Sequence, residues 1–155
     1  MYTIKNILKA ITAIVLLSIT FTSCKKDSST GTTTVAGSAS ANVVIGSAAA
    51  VPFTASTATF INASGVVDIV ATGSAGSKLT LHLTGVTAAG TFNLTSGNTG
   101  VFINGGVTYT TVGSGGGNVI ITTLSADKVE GTFLVESFAG TVYCGISGGK
   151  FTAGK

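Results

Sequence analysis

The sequence predicts an all-β domain, and three observations carry that expectation. From residue 41 onward Val, Ile, Thr, Phe and Tyr recur in short runs, the residue types that fit a pleated, half-buried surface. Clusters of Gly, Ser and Asn separate those runs and read as turns. No stretch beyond residue 40 shows apolar residues at helical spacing over ten or more positions, so no amphipathic helix is expected. An antiparallel β-sandwich of about 8 to 11 short strands is the expected architecture, with a small β-barrel as the alternative. Gly-rich corners and uneven strand lengths suit two packed sheets.

The segments ahead of this domain read as an address and a tether. Lys5 and Lys9 precede an apolar stretch over residues 10–21. That stretch is too short for a spanning helix, which needs about 20 apolar residues, and it has no polar face to suit a buried surface helix. It is the core of a secretion signal covering residues 1–23. Phe21-Thr22-Ser23-Cys24 resembles the lipobox of bacterial lipoproteins, an apolar residue and two small ones before Cys, with Phe21 in place of the usual Leu. The resemblance implies that Cys24 is lipidated, becomes the new N-terminus and holds the protein to a membrane. Lys25, not Asp, follows the cysteine, which points to an outer-membrane lipoprotein facing the periplasm or the cell surface. Residues 24–40 continue as Lys-Lys-Asp and then Ser, Thr, Gly and Ala, the composition of a flexible linker. Lys25 and Lys26 either touch anionic headgroups or keep the tether soluble.

Residues 41–155 then form one β-domain. Strand runs are expected over 42–45, 51–54, 57–61, 66–72, 78–84, 91–94, 101–104, 107–112, 118–124, 129–138, 141–147 and 150–152. The clearest is 78–84, where Leu79, Leu81 and Leu83 fall on one face and Thr80, His82 and Thr84 on the other. Turns fall at 62–65, 73–76, 104–106, 113–117 and 125–128. With so few charges, Thr carries the wet face, its hydroxyl hydrated and its β-branched stem suited to a strand.

Eight lysines and no arginine stand against five acids, a formal charge of +3. Position changes its meaning. Lys5 and Lys9 belong to the signal, and Lys25, Lys26 and Asp27 to the tether. The domain keeps Lys78, Lys128, Lys150 and Lys155 against Asp68, Asp127, Glu130 and Glu136. A neutral domain with scattered lysines lacks the clustered basic face that nucleic-acid binding needs.

The order of features is distinctive: a Ser-Cys-Lys-Lys-Asp start, a Ser/Thr tether and an Ala50-Val-Pro-Phe-Thr-Ala55 segment. Leu79-Thr-Leu-His-Leu-Thr-Gly85, Gly90-Thr-Phe-Asn-Leu94, Val119-Ile-Ile-Thr-Thr123, Val129-Glu-Gly-Thr-Phe133 and Gly149-Lys-Phe-Thr152 follow. Over most of the mature chain it resembles a family of small lipoproteins common in Bacteroidota, with a β-rich domain of unknown function. Where that family usually shows an Asn-Gly turn and a Trp, this chain has Pro52 and Phe53. The family supplies no activity and no catalytic residues.

The residues themselves offer little chemistry. Cys144 shares a face with Val142 and Ile146 and is expected to be a buried thiol acting as a small hydrophobe. A nucleophilic cysteine would need a base beside it, and the single histidine, His82, is expected on the opposite face of the wall. One His, one inward Cys and four carboxylates do not assemble a zinc site, so no metal or cofactor is expected. Asp127 and Glu130 flank a turn; turn chemistry and solubility explain them more simply than a glycosidase pair. Asp68 and Glu136 are lone strand charges that face solvent or guard a sheet edge. The Gly-rich stretches at 73–78 and 113–117 lack P-loop spacing and read as hairpin turns. Asn62-Ala-Ser64 and Asn93-Leu-Thr95 match a glycosylation pattern that a bacterial lipoprotein does not use.

Two functional readings follow. The first is a non-enzymatic cell-envelope lipoprotein, a tethered β-domain for interaction or structure with a protein or glycan partner. The alternative is an extracellular glycan- or small-ligand-binding module, with Tyr109, Tyr143 or a pocket at the end of the domain as its platform.

Overall fold

The computed structural model describes residues 36–95 and 97–155. The secretion signal, Cys24 and most of the tether lie outside the described residues. Ten strands follow one another: β1 (Ser38–Ile45), β2 (Val51–Ala63), β3 (Val66–Gly73), β4 (Lys78–Leu83), β5 (Gly90–Asn93), β6 (Thr99–Asn104), β7 (Val107–Thr110), β8 (Gly116–Leu124), β9 (Lys128–Ala139) and β10 (Val142–Gly154). A single 3-10 turn, Ser74–Gly76, joins β3 to β4.

The all-β expectation holds, and of the two architectures the barrel is the one formed. β1 pairs with both β2 and β10. The ring then runs β2–β3–β4–β6–β7–β9–β10 and returns to β1, closing eight strands in antiparallel order. β8 hydrogen-bonds along β9, and β5 along β8, as an extension of the wall. The sandwich expectation fails for a physical reason: the two chain-terminal strands meet, so the sheet curls onto itself and needs no second layer. Closure removes most of the sheet edges that a sandwich would leave exposed.

Bulges let the long strands bend around the ring. In β2 the inward alternation slips between Ala55 and Thr57, and in β10 between Ile146 and Gly149. At each slip two outward residues follow one another, Ser56-Thr57 and Ser147-Gly148. One extra residue unpaired in a ladder bends the strand and sharpens its twist. The sequence reading splits each of these strands in two at those same places, because broken alternation looks like a turn. β1 also starts at Ser38, inside the stretch that composition assigns to the tether. Ala39 and Ala41 face the core there, but Ser-Ala-Ser-Ala has a linker's composition, and only its alternation marks a strand.

An eight-stranded barrel has an interior just wide enough for side chains to fill. Leu79, Leu81 and Leu83 point inward as expected, with Ile69, Val135 and Ile146 among the fully buried residues. Rings are accommodated by glycines on the neighbouring strand. Gly149 stands opposite Phe133 and Gly131 opposite Phe151. A Cβ on Gly149 would come within 2.5 Å of the Phe133 ring, and one on Gly131 within 2.0 Å of the Ile120 carbonyl oxygen.

The barrel has two distinct ends. Gly37 enters against Ala58 of β2, and Gly154 pairs with neighbouring Thr59, so the described chain begins and finishes at one end. The opposite end, called here the far mouth, carries the β1–β2 loop, the Ser74–Gly76 turn and the β6–β7 and β9–β10 hairpins.

Candidate functional site

A recess of about 260 Å³ opens at the far mouth. Its deepest side chains are Phe53 and Phe102, only 5% and 2% exposed. The two rings meet edge to face, with centroids 5.6 Å apart and planes at 89°, the arrangement favoured by the ring quadrupole. Both positions face inward by strand alternation, and closure through β3 and β4 brings them together. Ile45 at the end of β1 and Val51 at the start of β2 add apolar wall, Val51 being 61% exposed.

The rim is set by backbone. Gly73 must lack a side chain, since a Cβ there would lie 2.7 Å from Phe53 Cε2 and 2.5 Å from Ser77 Oγ. The turn that follows is knotted by Ser77: its hydroxyl donates to the Ser74 carbonyl at 2.8 Å, and its own carbonyl accepts from Gly73 N–H at 2.8 Å. Ala75 sits within that turn at φ 52°, a left-handed conformation that non-glycine residues rarely adopt. On the other side, residues 46–50 are tied down where Gly46 N–H donates to the Tyr143 carbonyl at 2.8 Å. Among the described residues Asn104 brings the only carboxamide to the recess, and no charged side chain lines it.

A second hollow of about 430 Å³ lies between the segments leading out of β5 and β7. Threonines and glycines line most of it and no aromatic ring does, so it offers a ligand little apolar surface.

The tyrosines expected as a platform are separated. Tyr109 is 5% exposed, packed in the core opposite Phe102, and gives no open ring face. Tyr143 is 36% exposed on the outer wall. Its ring stands 5.5 Å from that of Phe138 and lies along Gly145, where a Cβ would meet the phenol. A barrel wall separates the two.

His82 faces out of β4, as alternation requires, but it is not alone. Asp68 is its register partner on β3, and His82 Nδ1–H donates to Asp68 Oδ1 at 2.6 Å. Asp68 thus pairs across two strands instead of guarding an edge; the strand with a free edge is short β5. Cys144 is fully buried, and burial pushes its thiol pKa up, offset in part by hydrogen bonding with Ser137. Around the β8–β9 turn the cap comes from Ser125 and not from Asp127. Ser125 Oγ accepts from Lys128 N–H and donates to the Lys128 carbonyl, both at 3.0 Å. Glu130 pairs with Lys128 at 3.1 Å. That hydrogen bond, helped by one from Thr123, holds its carboxyl below the usual range. These groups form a solvated hairpin and not a cleft.

Sequence reasoning notes Pro52-Phe53 and the Asn104 turn without joining them. Phe53 and Phe102 lie on strands three places apart in the ring, and only the closed register reveals their contact. A scan against protein-family models finds no match for this chain, and none is found among curated proteins or solved structures.

Proposed function

We propose that this chain is a non-catalytic cell-envelope lipoprotein, anchored in the outer membrane through Cys24, whose barrel acts by binding. The observation that carries the reading is the polarity of the barrel. Its described chain begins and ends at one end, while the recess opens at the other. An anchor upstream of Ala36 joins the barrel at the end away from that opening. The lipobox resemblance at residues 21–24 supplies the anchor. It fits the small Bacteroidota lipoproteins that the order of features resembles.

Among possible partners the recess favours a small ligand over an extended glycan. Its uncharged, aromatic-floored hollow at a barrel mouth is the usual form of a small-molecule site, whereas Tyr109 and Tyr143 do not form a stacking platform. The test is metabolic labelling of cells with an alkyne fatty acid. Label is expected on the wild-type chain and absent from Cys24→Ala, which should also leave the outer-membrane fraction. Equal labelling of both chains, or a Cys24→Ala chain still in that fraction, overturns the proposal. Protease treatment of intact cells then distinguishes surface from periplasmic exposure.

A further inference from the structure

We infer that the far-mouth recess binds a small, uncharged ring compound bearing one hydroxyl group, of the phenol or cyclic-alcohol class. This deepens the reading of the barrel as a binding module and rests on it. Size gives the first constraint. An apolar cavity of about 150 Å³ is enough to hold benzene, so a recess of about 260 Å³ takes a substituted ring but not an oligosaccharide.

Charge gives the second. Among the described residues no charged side chain lines the recess, and an ion moved into it would lose water without gaining a partner there. Carboxylate and ammonium ligands are therefore rejected. The floor gives the third: the edge-to-face pair of Phe53 and Phe102 presents ring surface that favours another ring.

Hydrogen bonding sets the polar group. Ser77 Oγ already gives its hydrogen to the Ser74 carbonyl, so toward a ligand it can only accept. Asn104, at the rim, can accept or donate. A ligand O–H satisfies Ser77 as donor, and its oxygen can accept from the Asn104 amide. A ketone or ether has no hydrogen to give and could not use that acceptor.

The rim is held at a conformational cost, with Ala75 in the left-handed region. Strain of this kind persists where the surrounding structure enforces it, often at ligand clamps.

The experiment uses the full chain in lipid nanodiscs, with fluorine NMR of 4-fluorophenol, 4-fluorobenzoate and fluorobenzene against empty nanodiscs. Saturable binding of 4-fluorophenol is expected, about tenfold or more tighter than 4-fluorobenzoate. Ala49→Trp, at an exposed position lining the recess, should abolish binding without touching the core. Ser77→Ala should weaken 4-fluorophenol about tenfold and leave fluorobenzene unchanged. Absence of saturable binding, equal binding of the benzoate, or full binding by the Ala49→Trp chain each overturns the inference. Lipidation is read separately, from fatty-acid label on Cys24, so a failed anchor and a failed ligand site give different results.

Discussion

Glycines on the inner wall decide where the large rings can go. Gly131 and Gly149 sit directly across from Phe151 and Phe133, and both lack the room for even one methyl group. Gly149→Ala is expected to destabilise the barrel by about 1–3 kcal/mol through overpacking, read from urea denaturation. Gly131→Ala should cost at least as much, because its obstacle is the Ile120 carbonyl, a backbone atom that cannot swing aside. Ala75 tests the opposite sign. Its left-handed backbone suits glycine, so Ala75→Gly should gain about 0.5–1 kcal/mol, the strain relief less the entropy that glycine costs. Single residues also show the limit of reading a sequence. The outward face of His82 follows from alternation, but its partnership with Asp68 needs the β3–β4 register, which the turn at 74–76 sets and no local pattern announces.

At the scale of elements, alternation is the most legible signal. Leu79, Leu81 and Leu83 are inward because period-two patterning leaves them no other face. It is equally the signal that misleads at a bulge, where Ser56-Thr57 and Ser147-Gly148 make one strand look like two. The β8–β9 hairpin carries the clearest pH dependence. The folded pKa of Glu130 is lowered, chiefly by Lys128, so the pair stabilises the hairpin above the ordinary carboxylate range. That contribution fades as pH falls through the folded value. The melting temperature of Lys128→Ala should therefore lie below wild type at neutral pH and converge with it in acid, once the pH is below the folded pKa of Glu130. At the same turn, Ser125→Ala removes both hydrogen bonds to Lys128 and should cost about 1 kcal/mol in denaturant titration.

For the whole molecule, closure matters more than any element. Local patterns give strands and turns but not which strands meet, because β1–β10 pairing joins residues about a hundred positions apart. The candidate recess inherits that illegibility: Phe53 and Phe102 become neighbours only once the ring is closed. A chain ending after Gly149 tests closure directly. It loses the β10 residues that pair with Ser38, Ala39 and Ser40, with β9 and with Thr59. Its unfolding by circular dichroism should lose the single cooperative transition expected for the intact domain.

The place of β1 in the ring has a mechanical consequence. Ser38–Ile45 is hydrogen-bonded to β10 on one side and through residues 39–43 to β2 on the other. It is also the strand that follows directly on the chain's entry at Gly37. Antiparallel hydrogen bonds lie across the strand axis, so a pull arriving from upstream loads the two flanking ladders in shear, many bonds at once, instead of unzipping them singly. The first strand of the barrel is thus the one clamped from both sides, so a force applied along the strand at Gly37 would meet the barrel in its strongest direction.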